Sequence, residues 1–251
     1  MTDSQRGIDV VAFDGDDTLW HSESHFVDAH ARYCALLAPY VDDLAWLDEQ
    51  VVATEGANLA TYGYGVKAFT LSLIETAIDV TGGRVTSKEI SAILDLGKGL
   101  MTHPVELLDG VPETIDAIAA TGRQMIVITK GDLFHQEAKV AGSGLADRFS
   151  RVEIVSEKDP DTYRRIIDDL GVDPARFVMI GNSVRSDVLP VVGLGGRAVH
   201  LPYTYTWAHE QVLGVDPVNG GYQELSSIRD LPPLLEAMAN GAVGGRLPGG
   251  N

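Results

Sequence analysis

Three aspartates fall within four positions, Asp14, Asp16 and Asp17, directly after the apolar run VVAF (10–13). Carboxylates crowded in this way repel one another and resist leaving water, so the cluster is unfavourable unless a cation or a charged ligand offsets it. If the extended backbone continues past residue 13, Asp14 and Asp16 point to one side and Asp17 to the other. The first pair could then share a substrate, one carboxylate ionised as a nucleophile and the other holding a proton. Asp17 is left to solvent or to capping a helix.

Other chemistries fit these residue types less well. Asp14, Asp16 and Thr18 occupy positions one, three and five of a calcium loop, but Leu19 stands where Gly is required and His25 where the closing Glu should be. GNSVR (181–185) could present Ser183 as a nucleophile with His200 or His209 as base, yet Arg185 replaces the second Gly that so tight a turn needs. His21, His25 and His30 lack an HExxH pattern or an accompanying cysteine motif, so they do not read as zinc ligands. GLGG (193–196) precedes a strand instead of opening a helix and reads as a turn.

The elements that must position the aspartates follow from hydrophobic patterning. IDVVAF (8–13), QMIVIT (124–129), VEIV (152–155), FVMI (177–180) and AVHL (198–201) read as buried parallel strands. Helical patterns separate the later ones. PETIDAIAATG (112–122) opens on Pro112 and stops at Gly122, and DTYRRIIDDLG (161–171) has Asp161 as N-cap and Gly171 as terminator. This alternation predicts an α/β fold, a doubly wound parallel sheet of Rossmann-like type. Roughly ninety residues between the first two strands carry almost no strand pattern, far more than one crossover needs. Patterns at 26–38, 42–60, 66–80 and 87–101 predict a smaller all-helical unit there. The expected division is a discontinuous core (1–20 and 106–240), a helical insert (21–105) and a glycine-rich, disordered tail (241–251).

Ligands of an open parallel sheet bind outside the carboxyl ends of its strands. Strand one ends in Asp14-Gly15-Asp16-Asp17-Thr18, strand two in Thr129-Lys130-Gly131-Asp132, and strand four in Gly181-Asn182-Ser183 with Asp187 shortly after. Lys158 lies between strand three and its helix. In this arrangement the chain resembles the haloacid dehalogenase-like hydrolase superfamily. Its Asp-x-Asp-x-Thr motif is met by Asp14, Asp16 and Thr18, its strand-closing Ser or Thr by Thr129, its Lys by Lys158 and its later acidic residue by Asp187. The resemblance covers 8–20 and 107–202, with the helical insert where many members carry a cap.

The resemblance implies a Mg²⁺-dependent phosphomonoester hydrolase in which Asp14 attacks phosphorus and Asp16 protonates the leaving oxygen, then activates water. It assigns the metal to Asp14, the backbone carbonyl of Asp16 and Asp187, and the phosphoryl contacts to Thr129 and Lys158. Thr18, Lys130, Tyr64 and Lys67 are the expected substrate contacts, the last two because YGYGVK (62–67) can bend a glycine loop toward a ligand. Asn182 departs from the Asp that many phosphatases of the family hold there, which opens room for a haloacid dehalogenase or a weakened binding module; phosphotransfer to a sugar is a further alternative. Arg185 could pair with Asp187 or face solvent.

Composition sets the partners. A formal charge of -17 repels a phosphate backbone and anionic lipid, so no nucleic acid and no membrane is expected as partner; the small phosphorylated metabolite expected instead is what the resemblance, with its cap, implies. A single cysteine, Cys34, an N-terminus without an apolar leader and no run long enough to span a bilayer point to a cytoplasmic protein. Nothing in the pattern selects an oligomeric state.

Overall fold

A computed structural model describes residues 7–241, apart from Thr206, Ala208, His209, Gln211, Leu213 and the side chain of Asn219. The expected disordered tail lies, from residue 242 on, outside the described residues. Six strands, β1 (Val10–Phe13), β2 (Gln124–Lys130), β3 (Arg151–Val155), β4 (Phe177–Gly181), β5 (Arg197–His200) and β6 (Gln223–Glu224), form one parallel sheet in the order β3-β2-β1-β4-β5-β6. Five of them answer to the apolar runs. The sixth is two residues long and polar, so hydrophobic patterning has nothing to detect.

Alternating residues of the central strands feed two separate cores, as the two-residue period of a strand demands. Val11, Phe13, Met125, Val127, Val178 and Ile180 face one side. They pack beneath helices α5 (Val111–Ala119), α6 (Leu133–Gly142) and α10 (Leu231–Ala239). Val10, Ala12, Ile126, Ile128, Phe177 and Met179 face the other, beneath α7 (Pro160–Leu170) and α8 (Leu189–Gly193). Each of the Val, Ile, Phe and Met side chains among them contributes roughly 1.5–3 kcal/mol by leaving water. Helix α7 is capped by Asp159, whose carboxylate accepts from the Thr162 amide at 2.8 Å, with Pro160 at the first position. The expected cap, Asp161, lies inside the helix instead; Gly171 ends it in the left-handed region, as expected. Of GLGG (193–196), Gly193 ends α8 and Leu194-Gly195 form the turn into β5.

The insert consists of helices α1 (Glu23–Leu37), α2 (Leu44–Tyr62), α3 (Val66–Val80) and α4 (Ser87–Met101) around its own core of Tyr33, Leu37, Leu47, Val51, Leu73, Ala77, Ile93 and Leu96. Cys34 is only half-buried, since the inward face of α1 passes through Tyr33 and Leu37. The chain leaves and re-enters the sheet through paired segments: the His21 amide donates to Glu106 O and the Leu108 amide to Leu19 O, at 2.9 and 3.0 Å. A short helix, α9 (Pro217–Gly220), precedes β6. Among the described residues, no helix is long and apolar enough to cross a membrane.

Helices α3 and α4 approach so closely that a Cβ at Gly97 would sit 2.2 Å from Thr70 Oγ1, whereas one at Gly99 on the same helix would meet nothing within 4 Å. The two glycines should therefore respond oppositely. Gly97→Ala is expected to lower unfolding free energy in urea by about 1–3 kcal/mol through overpacking, and Gly99→Ala to raise it by up to about 1 kcal/mol through helix propensity.

Candidate active site

The strand order reverses at β1, because the chain runs outward through β2 and β3 and then returns to place β4 on the other side. A crevice opens at such a switch point beyond the strand carboxyl ends. A cavity of about 350 Å³ occupies it, lined on the sheet side by Asp14, Asp16, Thr129, Lys158, Asn182 and Asp187.

Asp14 follows β1 directly, its amide bonded to Ile180 O at 2.9 Å on the neighbouring strand. Its Oδ1 lies 2.5 Å from Lys158 Nζ, and the same ammonium lies 2.6 Å from Asp187 Oδ1. All three side chains are nearly inaccessible. Asp187 reaches this point because β4 runs into a wide π-helical turn (Val184–Val188), a form common at functional sites. Its other carboxylate oxygen accepts from the Ser183 amide at 3.0 Å. A Cβ at residue 181 would collide with that carboxylate at 2.2 Å, so the strand must end in Gly.

Two carboxylates sharing one lysine leave the group under-neutralised. Burial pushes Asp14 up to about 7, Lys158 opposes this, and the charge of Asp187 reinforces it. Burial alone would depress Lys158, but Asp14 and Asp187 outweigh it and raise its pKa.

Asp16 lives in different surroundings, and here the structure departs from expectation. Its carboxylate accepts from Lys139 Nζ at 2.7 Å, Trp20 Nε1 at 2.6 Å and Gln136 Nε2 at 2.9 Å. Burial pushes its pKa upward, yet these donors outweigh it and bring it below the usual range. From the protein's own groups alone, Asp14 is thus the more readily protonated of the pair and Asp16 the one its neighbours keep ionised, whereas the expectation gave the proton to Asp16. Asp17 touches the cavity but is buried at φ 61° and takes the capping role expected of it, its carboxylate accepting the Ser22 and Glu23 amides at the start of α1. Burial pushes it to about 7.

Several expected contacts take other roles. Thr18 does not line the cavity; its hydroxyl donates to Asp14 Oδ2 at 3.3 Å and so orients that carboxylate. Lys67 does not line it either and instead pairs with Asp132 at 2.9 Å, tying α3 to the start of α6. Tyr64 does reach the cavity, its hydroxyl donating to Glu157 at 2.6 Å. Lys130 lines it too but is held by Glu210 at 2.5 Å, Ser186 at 3.0 Å and Glu157 at 3.3 Å, over the Tyr64 ring. Arg185 is close enough to Tyr64 for its charge to act on the phenol and does not line the cavity.

Ser183 donates to Glu210 at 2.5 Å and caps the following turn, while His200 bridges the Asn182 carbonyl and Glu224. No serine–histidine couple exists there among the described residues, and His209 lies outside them. His21 meets Tyr203 and His25 stacks on His103, so the three insert histidines do not converge. His30 does sit with Cys34 and Asp48, a grouping that needs two helices to form. The partners of Asp16 escaped the sequence reading because Gln136 and Lys139 are ordinary polar residues. Their only signal is a three-residue spacing on a helix that starts at a strand's carboxyl end.

Two further acids line the insert side. Burial pushes Glu23 to about 7, helped by Asp16. Burial and the charge of Glu23 push Glu55 to about 7, against a hydrogen bond from Trp207. Each binds its proton more tightly folded than unfolded, so each contributes stability that is fully present at low pH and is lost as pH rises toward 7. Glu55→Gln should therefore leave stability unchanged near pH 4 and raise it by about 1–2 kcal/mol at pH 8, measured by urea unfolding across pH.

Comparison with known proteins supplies the lineage. A profile of the haloacid dehalogenase-like hydrolases matches residues 8–192. A phosphoglycolate phosphatase of Rhodospirillum rubrum is 30% identical over 206 residues, 78% of this chain and 80% of that protein. The crystal structure of a haloacid dehalogenase-like hydrolase from Xanthomonas campestris superposes with TM-score 0.83 at 42% identity, covering 94% of each chain. An L-2-haloacid dehalogenase from Xanthobacter autotrophicus shares the fold, with TM-score 0.60 at 18% identity over 92% of this chain and 99% of that one. The motif order, the strand-end geometry and these likenesses together place the chain in the haloacid dehalogenase-like hydrolase family.

Proposed function

We propose that this hydrolase is a Mg²⁺-dependent phosphatase that cleaves small phosphomonoesters through an aspartyl-phosphate. The observation that carries the reading is the meeting of Asp14, Asp187 and Lys158 on the cavity floor with Asp16 beside them. The phosphatase relative at 30% identity supports the same reaction class.

The donor set suits magnesium. Asp14 and Asp187 offer hard, buried carboxylate oxygens short of positive charge. The hydrogen bonds of the aspartate turn go to the carbonyls of Gly15 and Trp20 and leave that of Asp16 out. These three groups would hold the ion. Bound there, it supplies positive charge to the phosphoryl oxygens and favours the ionised form of Asp14.

Asp14 then attacks phosphorus, forming the Oδ–P bond as the ester P–O bond breaks. Asp16 gives the departing oxygen its proton. The phosphoryl dianion beside Asp16 raises its pKa and lets it carry that proton despite Lys139. Once the alcohol leaves, Asp16 is ionised again, the form its neighbours favour, and takes a proton from the water that attacks the aspartyl-phosphate. Lys158 and Thr129 hold the phosphoryl oxygens. The presence of Asp16 favours an oxygen leaving group over halide, which needs no proton.

Helices α1–α4 act in this reading as a cap over a discontinuous core, closing the cavity against bulk water and restricting it to small substrates. A cytoplasmic setting accords with the single, unpaired Cys34.

Turnover of 4-nitrophenyl phosphate should require Mg²⁺ and disappear with EDTA. Asp14→Asn should reduce kcat at least about 1,000-fold, and Asp16→Asn about 100-fold or more. Metal-independent turnover, or full activity in Asp14→Asn, would overturn the assignment.

A further inference from the structure

The cavity extends well past the reacting groups. Its insert half is walled by Phe26, Val27, Val51, Val52, Leu59 and Phe69, with Trp207 from the core segment after β5. Phe26 and Phe69 pack edge to face at 5.1 Å, and Tyr64 and Trp207 at 5.8 Å, so paired rings alternate with aliphatic side chains along the wall. A two-carbon alcohol attached to a phosphate at Asp14 would leave most of a 350 Å³ space to water.

The charges of this half have one sign. Both Glu23 and Glu55 line this half, and Glu55 lies close enough to Glu23 for that charge to raise its pKa. No lysine or arginine of the insert lines the cavity among the described residues. The lysines that do line it come from the core, and each is already committed: Lys158 to Asp14 and Asp187, Lys139 to Asp16, Lys130 to Glu157 and Glu210. His30 faces Asp48 at 3.4 Å. A carboxylate on the leaving alcohol would therefore meet two acids in a desolvated wall with no cation to pair with. An ammonium would meet its complement.

We propose that the insert half of the cavity is a leaving-group subsite for a bulky, largely apolar alcohol that bears no carboxylate and whose favoured charged substituent is an amine paired with Glu55. The catalytic consequence rests on the phosphatase reading above; the binding preference does not. This sets the chain apart from its relative named for phosphoglycolate, whose alcohol carries a carboxylate.

A matched pair of esters tests the subsite: the phosphate of tyramine and the phosphate of 3-(4-hydroxyphenyl)propanoate. They share an aryl leaving group and differ in the sign of the distal charge. Affinities for the Asp14→Asn protein by calorimetry and kcat/KM for the wild type with Mg²⁺ give independent readings. The amine ester should bind at least about tenfold more tightly than the carboxylate ester, and phosphoglycolate more weakly than either. Glu55→Gln should erase most of the preference and Glu55→Lys should invert it. Equal or reversed preference in the wild-type cavity, or tighter binding of phosphoglycolate, would overturn the subsite while leaving the hydrolase reading intact if the esters are turned over. Preferential binding of the amine ester without turnover of any ester would uphold the subsite and overturn the phosphatase.

Discussion

One ammonium between two buried carboxylates organises the molecule's working end. Lys158 follows β3, Asp14 follows β1 and Asp187 lies in the turn after β4, so the contacts at 2.5 and 2.6 Å tie three strand ends across the switch point of the sheet. Burying such a triad is unfavourable by itself, since the desolvation of each ion is repaid only by close pairing and further hydrogen bonds. The surrounding residues answer that need. Thr18 donates to Asp14, the Ser183 amide donates to Asp187, and glycine at 181 leaves the room that any side chain would close. One negative charge more than lysine can neutralise is what remains, and that surplus is the basis for placing a dication beside Asp14.

The same imbalance separates Asp14 from Asp16. Two residues apart in sequence, they differ because β1 directs one into the Lys158 pair while the turn that follows directs the other toward the polar face of α6. Local lysines at this end also reconcile a protein of charge -17 with an anionic substrate, since at close range position outweighs net charge.

Much of this was legible in the sequence. Residues that close apolar runs, such as Asp14 and Thr129, announce a strand's carboxyl end, and the insert's four helices follow from apolar residues recurring at helical spacing. What stayed hidden depends on contacts between elements distant in the chain. Asp16 was expected to hold the proton, and the donors that favour its ionised form went unseen because Lys139 and Gln136 lie over a hundred residues away on another helix. Lys67 and Thr18 were expected at the substrate, yet Asp132 and Asp14 claim them. Asp17, expected to be solvated or a cap, proved a buried cap because the chain turns at φ 61° and aims it at α1. The polar strand β6 offered no pattern at all.

The helical insert departs and returns through one short antiparallel bridge, Trp20 against Leu107, with the flanking amides paired on both sides. The sheet's register is fixed without any contribution from the eighty residues or so in between. Lineages could therefore lengthen, replace or reshuffle the excursion as a cassette, diversifying what is recognised while the reaction chemistry is inherited untouched.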